Sequence, residues 1–186
     1  MVSIFILIIL MLGFAMGFRR GLVLQGYYNA GTLIAYIVAT SCFKALYPSF
    51  ILWVPYPQAS VDSHLTILKQ SIIFDIDKAF YAGFAFLLLY FGVMIAVRLV
   101  GIFAYPLGKL DILESKGKWI AGFLGVCEYY LAIVLMLALL ALIPMNIIQN
   151  QLSHSLLAKA MLLRTPIFSH DIFNLWVTEI IHHKPF

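Results

Sequence analysis

The chain has 186 residues, of which 63% are hydrophobic and 11% charged, far fewer than the roughly 25% charged residues a soluble domain carries. That excludes a water-exposed globule and implies an all-α, polytopic integral membrane protein, one domain by length, with room for four spans and a modest extramembrane element. The net charge of +4 does not point to nucleic acid, because the basic residues sit mostly at the ends of apolar runs and no basic stripe interleaves with aromatics.

The first span is predicted over 2–18, which no charge interrupts; it reaches about 25 Å, a little short of a ~30 Å hydrocarbon core. It reads as a retained span rather than a signal peptide, since Arg19 and Arg20 follow the apolar run instead of preceding it. A second span over 22–43 is interrupted by Gln25, Asn29, Thr32 and Thr40, a pattern that faces other helices rather than lipid; Lys44 and Pro48 are expected to end it. The connection 44–78 follows, with Pro48, Pro55 and Pro57, and with Tyr47, Trp53 and Tyr56 suited to the headgroup zone. Its part from Ser60 to Lys78 suits a short surface helix, and Asp75 or Asp77 can cap the next span.

The third span, 79–103, carries one interior charge, Arg98. After a short loop containing Pro106, Gly108, Lys109, Lys116 and Lys118, the fourth span, 119–143, carries Glu128 and is closed by Pro144. In the tail, "QLSHSLLAKAMLLR" places Leu152, Leu156, Ala160 and Leu163 near helical spacing, predicting one amphipathic surface helix. Thr165-Pro166 then turns, and Ser169 or His170-Asp171 caps a second short helix. The expected organisation is a four-span membrane domain, 1–144, followed by an amphipathic helical tail, 145–186.

The two short loops hold the densest positive charge, so both are placed in the cytosol and both termini outside. "FRRG" is then the tip of a helical hairpin, its arginines snorkelling to headgroups and its glycine allowing the turn. Gly13, Gly17 and Gly21 repeat every fourth residue and Gly26 and Ala30 do so on the next helix, which predicts a compact first hairpin; Ala121 and Gly125 give the fourth span a similar face.

Depth can be counted from the second loop. Arg98 lies fourteen residues before Ile112 and Glu128 sixteen after it, which places them within about 3 Å of one level and about 8–13 Å into the cytosolic leaflet. Asn29 counts to a similar level on the second span, with Gln25 nearer the headgroups. An unpaired charge there costs about 2.5–3.5 kcal/mol on insertion scales, which favours pairing. Two readings stay open: a polar patch lining a substrate, ion or proton path, and a salt bridge that orients the helices.

Other chemistry is not signalled. His64, His154, His170, His182 and His183 lack metal-site spacing, and Cys42 and Cys127 fall at opposite depths, too far apart for a disulfide. No nucleotide loop, nucleophile elbow or paired-carboxylate site appears, so no cofactor, metal or enzymatic activity is expected.

A short first span running into "GFRRG", a polar second span, the long third span "DKAFYAGFAFLLLYFGVMIAVRLVG", a "GFLG" opening on the fourth, and a tail with "LLRTPIFSHDIFNLW" occur in that order. This arrangement resembles the colicin V production protein family of bacterial integral membrane proteins, most tellingly at the turn of Gly17, Phe18, Arg20 and Gly21. The resemblance implies a multi-pass protein of the bacterial cytoplasmic membrane that serves toxin production or export, or envelope homeostasis. The chain departs from the family's pattern at Cys127-Glu128, where a basic residue often follows the glycines of the fourth span. The partners expected are the lipid bilayer and either further copies of the chain or a membrane exporter, for which the chain would be a transport path or a non-transporting scaffold.

Overall fold

The computed structural model describes residues 2–57, 65, 75–103, 114–165 and 168–181. Four long helices dominate: α1 (Val2–Arg20), α2 (Leu22–Phe50), α3 (Ile76–Phe103) and α4 (Glu114–Ala141), each long and apolar enough to cross a membrane. The tail forms α5 (Asn146–Ser153), α6 (Leu156–Arg164), α7 (Phe168–Phe173), a π-helical turn (Asn174–Thr178) and α8 (Glu179–Ile181). The reading of a surface helix within 60–78 falls almost entirely on residues outside those described, as do the loop around Ile112 and His182-His183.

One residue separates α1 from α2. Gly21 takes φ 78° and ψ 168°, a conformation essentially reserved for glycine. Its N–H still donates to the Gly17 carbonyl at 3.3 Å, and its carbonyl accepts from the Gln25 N–H at 3.0 Å, so the chain turns without losing these backbone bonds. At its far end α2 does not stop at Lys44: it continues through Pro48 to Phe50. Proline late in a helix forfeits one bond to the turn before it, and here a single further turn follows.

The long helices pair differently from their order along the chain. Helix α2 lies antiparallel to α3 through aromatic contacts, Tyr36 and Phe43 each against Phe86 and Phe50 against Phe84. Helix α1 lies antiparallel to α4, and few contacts join α1 to α2. The glycine stripe therefore works, but against a different partner from the one expected. A β-carbon on Gly17 would strike the Ala121 carbonyl, one on Gly125 the Gly13 carbonyl, and one on Gly13 the Tyr129 ring at 2.9 Å. Small residues let backbones approach this closely. Gly26 faces nothing within 4 Å and Ala30 is exposed, so the expected packing face on α2 is absent.

The tail is not one continuous helix, and its buried face differs from the one expected. Ser155 breaks it: its side chain accepts the Ala158 N–H at 3.2 Å, capping α6, and its hydroxyl meets Ser3 at 2.9 Å. The break shifts the helical phase, so Ala158, Met161 and Leu162 are buried while Leu156 is 84% exposed and Leu163 is also exposed. Beyond it Ile172, Phe173, Trp176 and Val177 are fully buried, with the Trp176 ring against Phe86. Gln149 donates to the Ala141 and Ile143 carbonyls at 3.2 and 2.8 Å, and Tyr56 to the Leu142 carbonyl at 2.7 Å, satisfying the end of α4 where Pro144 stops it. Tyr56 is thus part of the packing, and burial, reinforced by the Asp77 carboxylate, raises its phenol pKa above the usual range; Trp53, exposed, is the aromatic that suits the headgroup zone.

Candidate functional site

The expected trio sits where the helices converge. Glu128 on α4 is 4% exposed and is held from three sides. The Arg98 guanidinium donates to its Oε1 at 3.3 Å, Gln25 Nε2 donates to its Oε2 at 2.9 Å, and Arg20 Nη1 lies 3.6 Å from the same oxygen. Counting along antiparallel helices thus placed Arg98 and Glu128 together correctly, because depth is a single coordinate set by helical rise.

Asn29 joins at one remove. Its Oδ1 accepts from Gln25 Nε2 at 3.3 Å, and its Nδ2 donates to the Leu124 carbonyl at 3.3 Å, tying α2 to α4. Gln25 is therefore central rather than peripheral, and it is fully buried.

Arg20 does not snorkel outward. Its guanidinium stacks over the Tyr28 ring at 4.3 Å and donates to Gln25 Oε1 at 3.4 Å, while its neighbour Arg19 is exposed. A carboxylate buried between helices draws the nearest long cation, and an arginine side chain spans several residues of helical rise. The hint available in the sequence was arithmetic: one buried carboxylate, two arginines close to its level, and a glutamine one helical turn before Asn29. The Tyr28 ring is itself held against Gly101, where a β-carbon would fall 2.5 Å from its hydroxyl.

The centre therefore holds two guanidinium groups around one carboxylate, a net positive charge. Arg20 is largely enclosed, but the Arg98 side chain is 49% exposed. It opens onto a cleft of about 400 Å³ between α3 and α4, which Glu128 also lines and whose other walls are apolar and aromatic side chains such as Met94, Ile95 and Ala132. A second, larger cleft of about 530 Å³ runs on between α1 and α4. Phe91, Tyr129 and Ala132 line both.

The other singled-out residues are accounted for by packing. Phe18 rests on Phe14 and Trp119, and Gly17, Gly21, Ala121 and Gly125 serve the turn and the α1–α4 contact. Cys42 and Cys127 are free and exposed. Among the described residues no group of three or more His, Cys, Asp or Glu side chains is placed to hold a metal ion.

Residues 2–166 match the family model described as colicin V production protein. The chain is also 25% identical over 176 residues to the uncharacterized transmembrane protein YshB of Bacillus subtilis (strain 168), a match covering 95% of this chain and 97% of that protein. No solved structure matches it. The match spans the glycine turn, all four long helices and the residues of the polar centre, and this multi-pass membrane protein belongs to the colicin V production protein family.

Proposed function

We propose that the chain serves peptide-toxin production or export, or maintenance of the bacterial envelope, from the cytoplasmic membrane, with the Arg20–Glu128–Arg98 centre as its working part. In this reading the centre borders a solute or ion path completed by further copies of the chain, and both termini lie on the extracytoplasmic side. The observation that carries it is the half-exposed Arg98 beside a buried carboxylate. A purely orienting salt bridge needs no opening, whereas this one opens onto a cleft, and an intramembrane charge beside a cavity marks a functional site. The test is reconstitution in liposomes: the wild-type protein changes solute or ion flux, and Glu128→Gln inserts normally but loses that flux. Reduced protein level with unchanged flux per molecule would leave the centre a structural pair.

A second reading, a non-transporting scaffold for an exporter, is favoured by the outward stripe of Leu156, Lys159, Ala160 and Leu163 on α6. The glycine faces of α1 and α4 are not available for that role, since the two helices use them on each other, whereas Gly26 on α2 faces open space. This reading expects silent liposomes and co-purification with a larger membrane complex that a charge reversal at Lys159 disrupts.

A further inference from the structure

The two clefts adjoin, sharing Phe91, Tyr129 and Ala132 as walls, and together give a groove with a charged end and a mainly apolar body. At the charged end stands Arg98, half exposed, in a centre with one more guanidinium than carboxylate. Arg19, Lys116 and Lys118 are exposed at the same end of the bundle, so the surroundings are basic as well. From there the groove follows α4 from Glu128 to Leu140, twelve residues or about 18 Å at the rise of an α-helix. That exceeds the ~15 Å depth of one leaflet of a ~30 Å hydrocarbon core. Its walls beyond the centre are apolar except for Gln151 at the far end, and Phe91, Ile95 and Met136 are exposed along its rim, so it is open sideways.

We propose that this groove binds an anionic phospholipid, with the phosphate at Arg98 and one acyl chain laid along α4 toward Leu140. Excess positive charge between helices selects an anionic headgroup, and the mainly apolar walls beyond it suit a chain, which free phosphate lacks. Arg98 lies toward the end of the bundle that carries Arg19, Lys116 and Lys118, and an arginine near such an end of a span draws headgroup and water toward itself rather than remaining dry. The assignment rests on the polar centre being the working part of the protein.

The test measures retained lipid. The full chain is purified in neutral detergent with equal phosphatidylglycerol and phosphatidylcholine of matched chains, and bound lipid is counted by native mass spectrometry. The wild-type protein is expected to retain phosphatidylglycerol about fivefold over phosphatidylcholine. Arg98→Lys keeps that preference and Arg98→Gln brings it close to parity. Ala132→Phe leaves every charge in place, fills the groove and lowers retention of both lipids by at least threefold. It also keeps the proposal testable should Arg98→Gln fail to fold. Equal retention of the two lipids by the wild type, or displacement of phosphatidylglycerol by inorganic phosphate, overturns the assignment. So does a change in oligomeric mass in Ala132→Phe with lipid retention unaltered, which would assign the groove to a second copy. Lost lipid preference with intact flux defeats the lipid assignment alone; silent liposomes with intact preference defeat the transport reading alone.

Discussion

Gly125 on α4 faces the Gly13 carbonyl on α1 so closely that a β-carbon at position 125 could be fitted only by moving the backbone. Backbone cannot yield as a flexible side chain does, so Gly125→Ala is expected to destabilise the protein by about 1–3 kcal/mol, the usual range for overpacking. Gly26→Ala is the control: open space surrounds it, and alanine's higher helix propensity makes the change neutral or stabilising by up to about 1 kcal/mol. Thermal unfolding of the two variants in detergent compares them directly; equal losses would contradict the α1–α4 contact.

The charged centre predicts strong non-additivity. Glu128→Gln strands two guanidinium groups and should cost about 3–5 kcal/mol, the range for breaking a buried pair from one side. Adding Arg98→Gln to it should recover part of that loss, because one stranded charge is removed. A double-mutant cycle of unfolding free energies reads the coupling, and additive losses would mean that the two groups do not interact.

Trp176 separates shape from polarity. Its ring is fully buried beside Gly83 and Phe86, and its Nε1 has no hydrogen-bond partner among the described residues. Trp176→Ala should cost about 3–5 kcal/mol through the void it leaves. Trp176→Phe keeps most of the ring, discards an unsatisfied donor and should cost much less. Chemical denaturation of both variants checks the order, and a larger loss in the phenylalanine variant would show that the indole N–H has a partner.

Orientation is open to labelling. In a background with Cys42 and Cys127 replaced by serine, a cysteine at Arg19 should resist an impermeant thiol reagent in intact bacterial cells and react once they are opened. A cysteine at exposed Asn150, at the other end of the bundle, should react in both. The reverse pattern would turn the molecule over in the membrane without altering its packing.

The four long apolar helices were legible because bilayer thickness dictates such lengths: apolar runs of the right length, bounded by charge or proline, leave little choice. The level shared by Arg98 and Glu128 was legible for a similar reason, being a count along two helices joined by a short loop. The partner of a glycine stripe was not. Gly13 and Gly17 mark a face on α1 without saying which helix covers it, and proximity along the chain favoured α2 over α4, whose Ala121 and Gly125 carry the complementary surface. Arg20 was misplaced because the depth of its Cα is a poor guide to where so long a side chain ends. The buried face of the tail was missed because one helical phase was read through Ser155, and the cap there restarts the helix.

The exchange of partners between α1 and α4 bears on how the molecule is made. During synthesis α2 can dock onto α3 as soon as that segment has emerged, but the grooved side of α1 must wait for a helix about a hundred residues downstream. Through that interval Arg20 and Arg98 lack the carboxylate that later joins them. Arrival of α4 delivers the missing negative charge and the glycine-lined surface together, so completion of the bundle and the pairing of its interior charges become one late event in biogenesis.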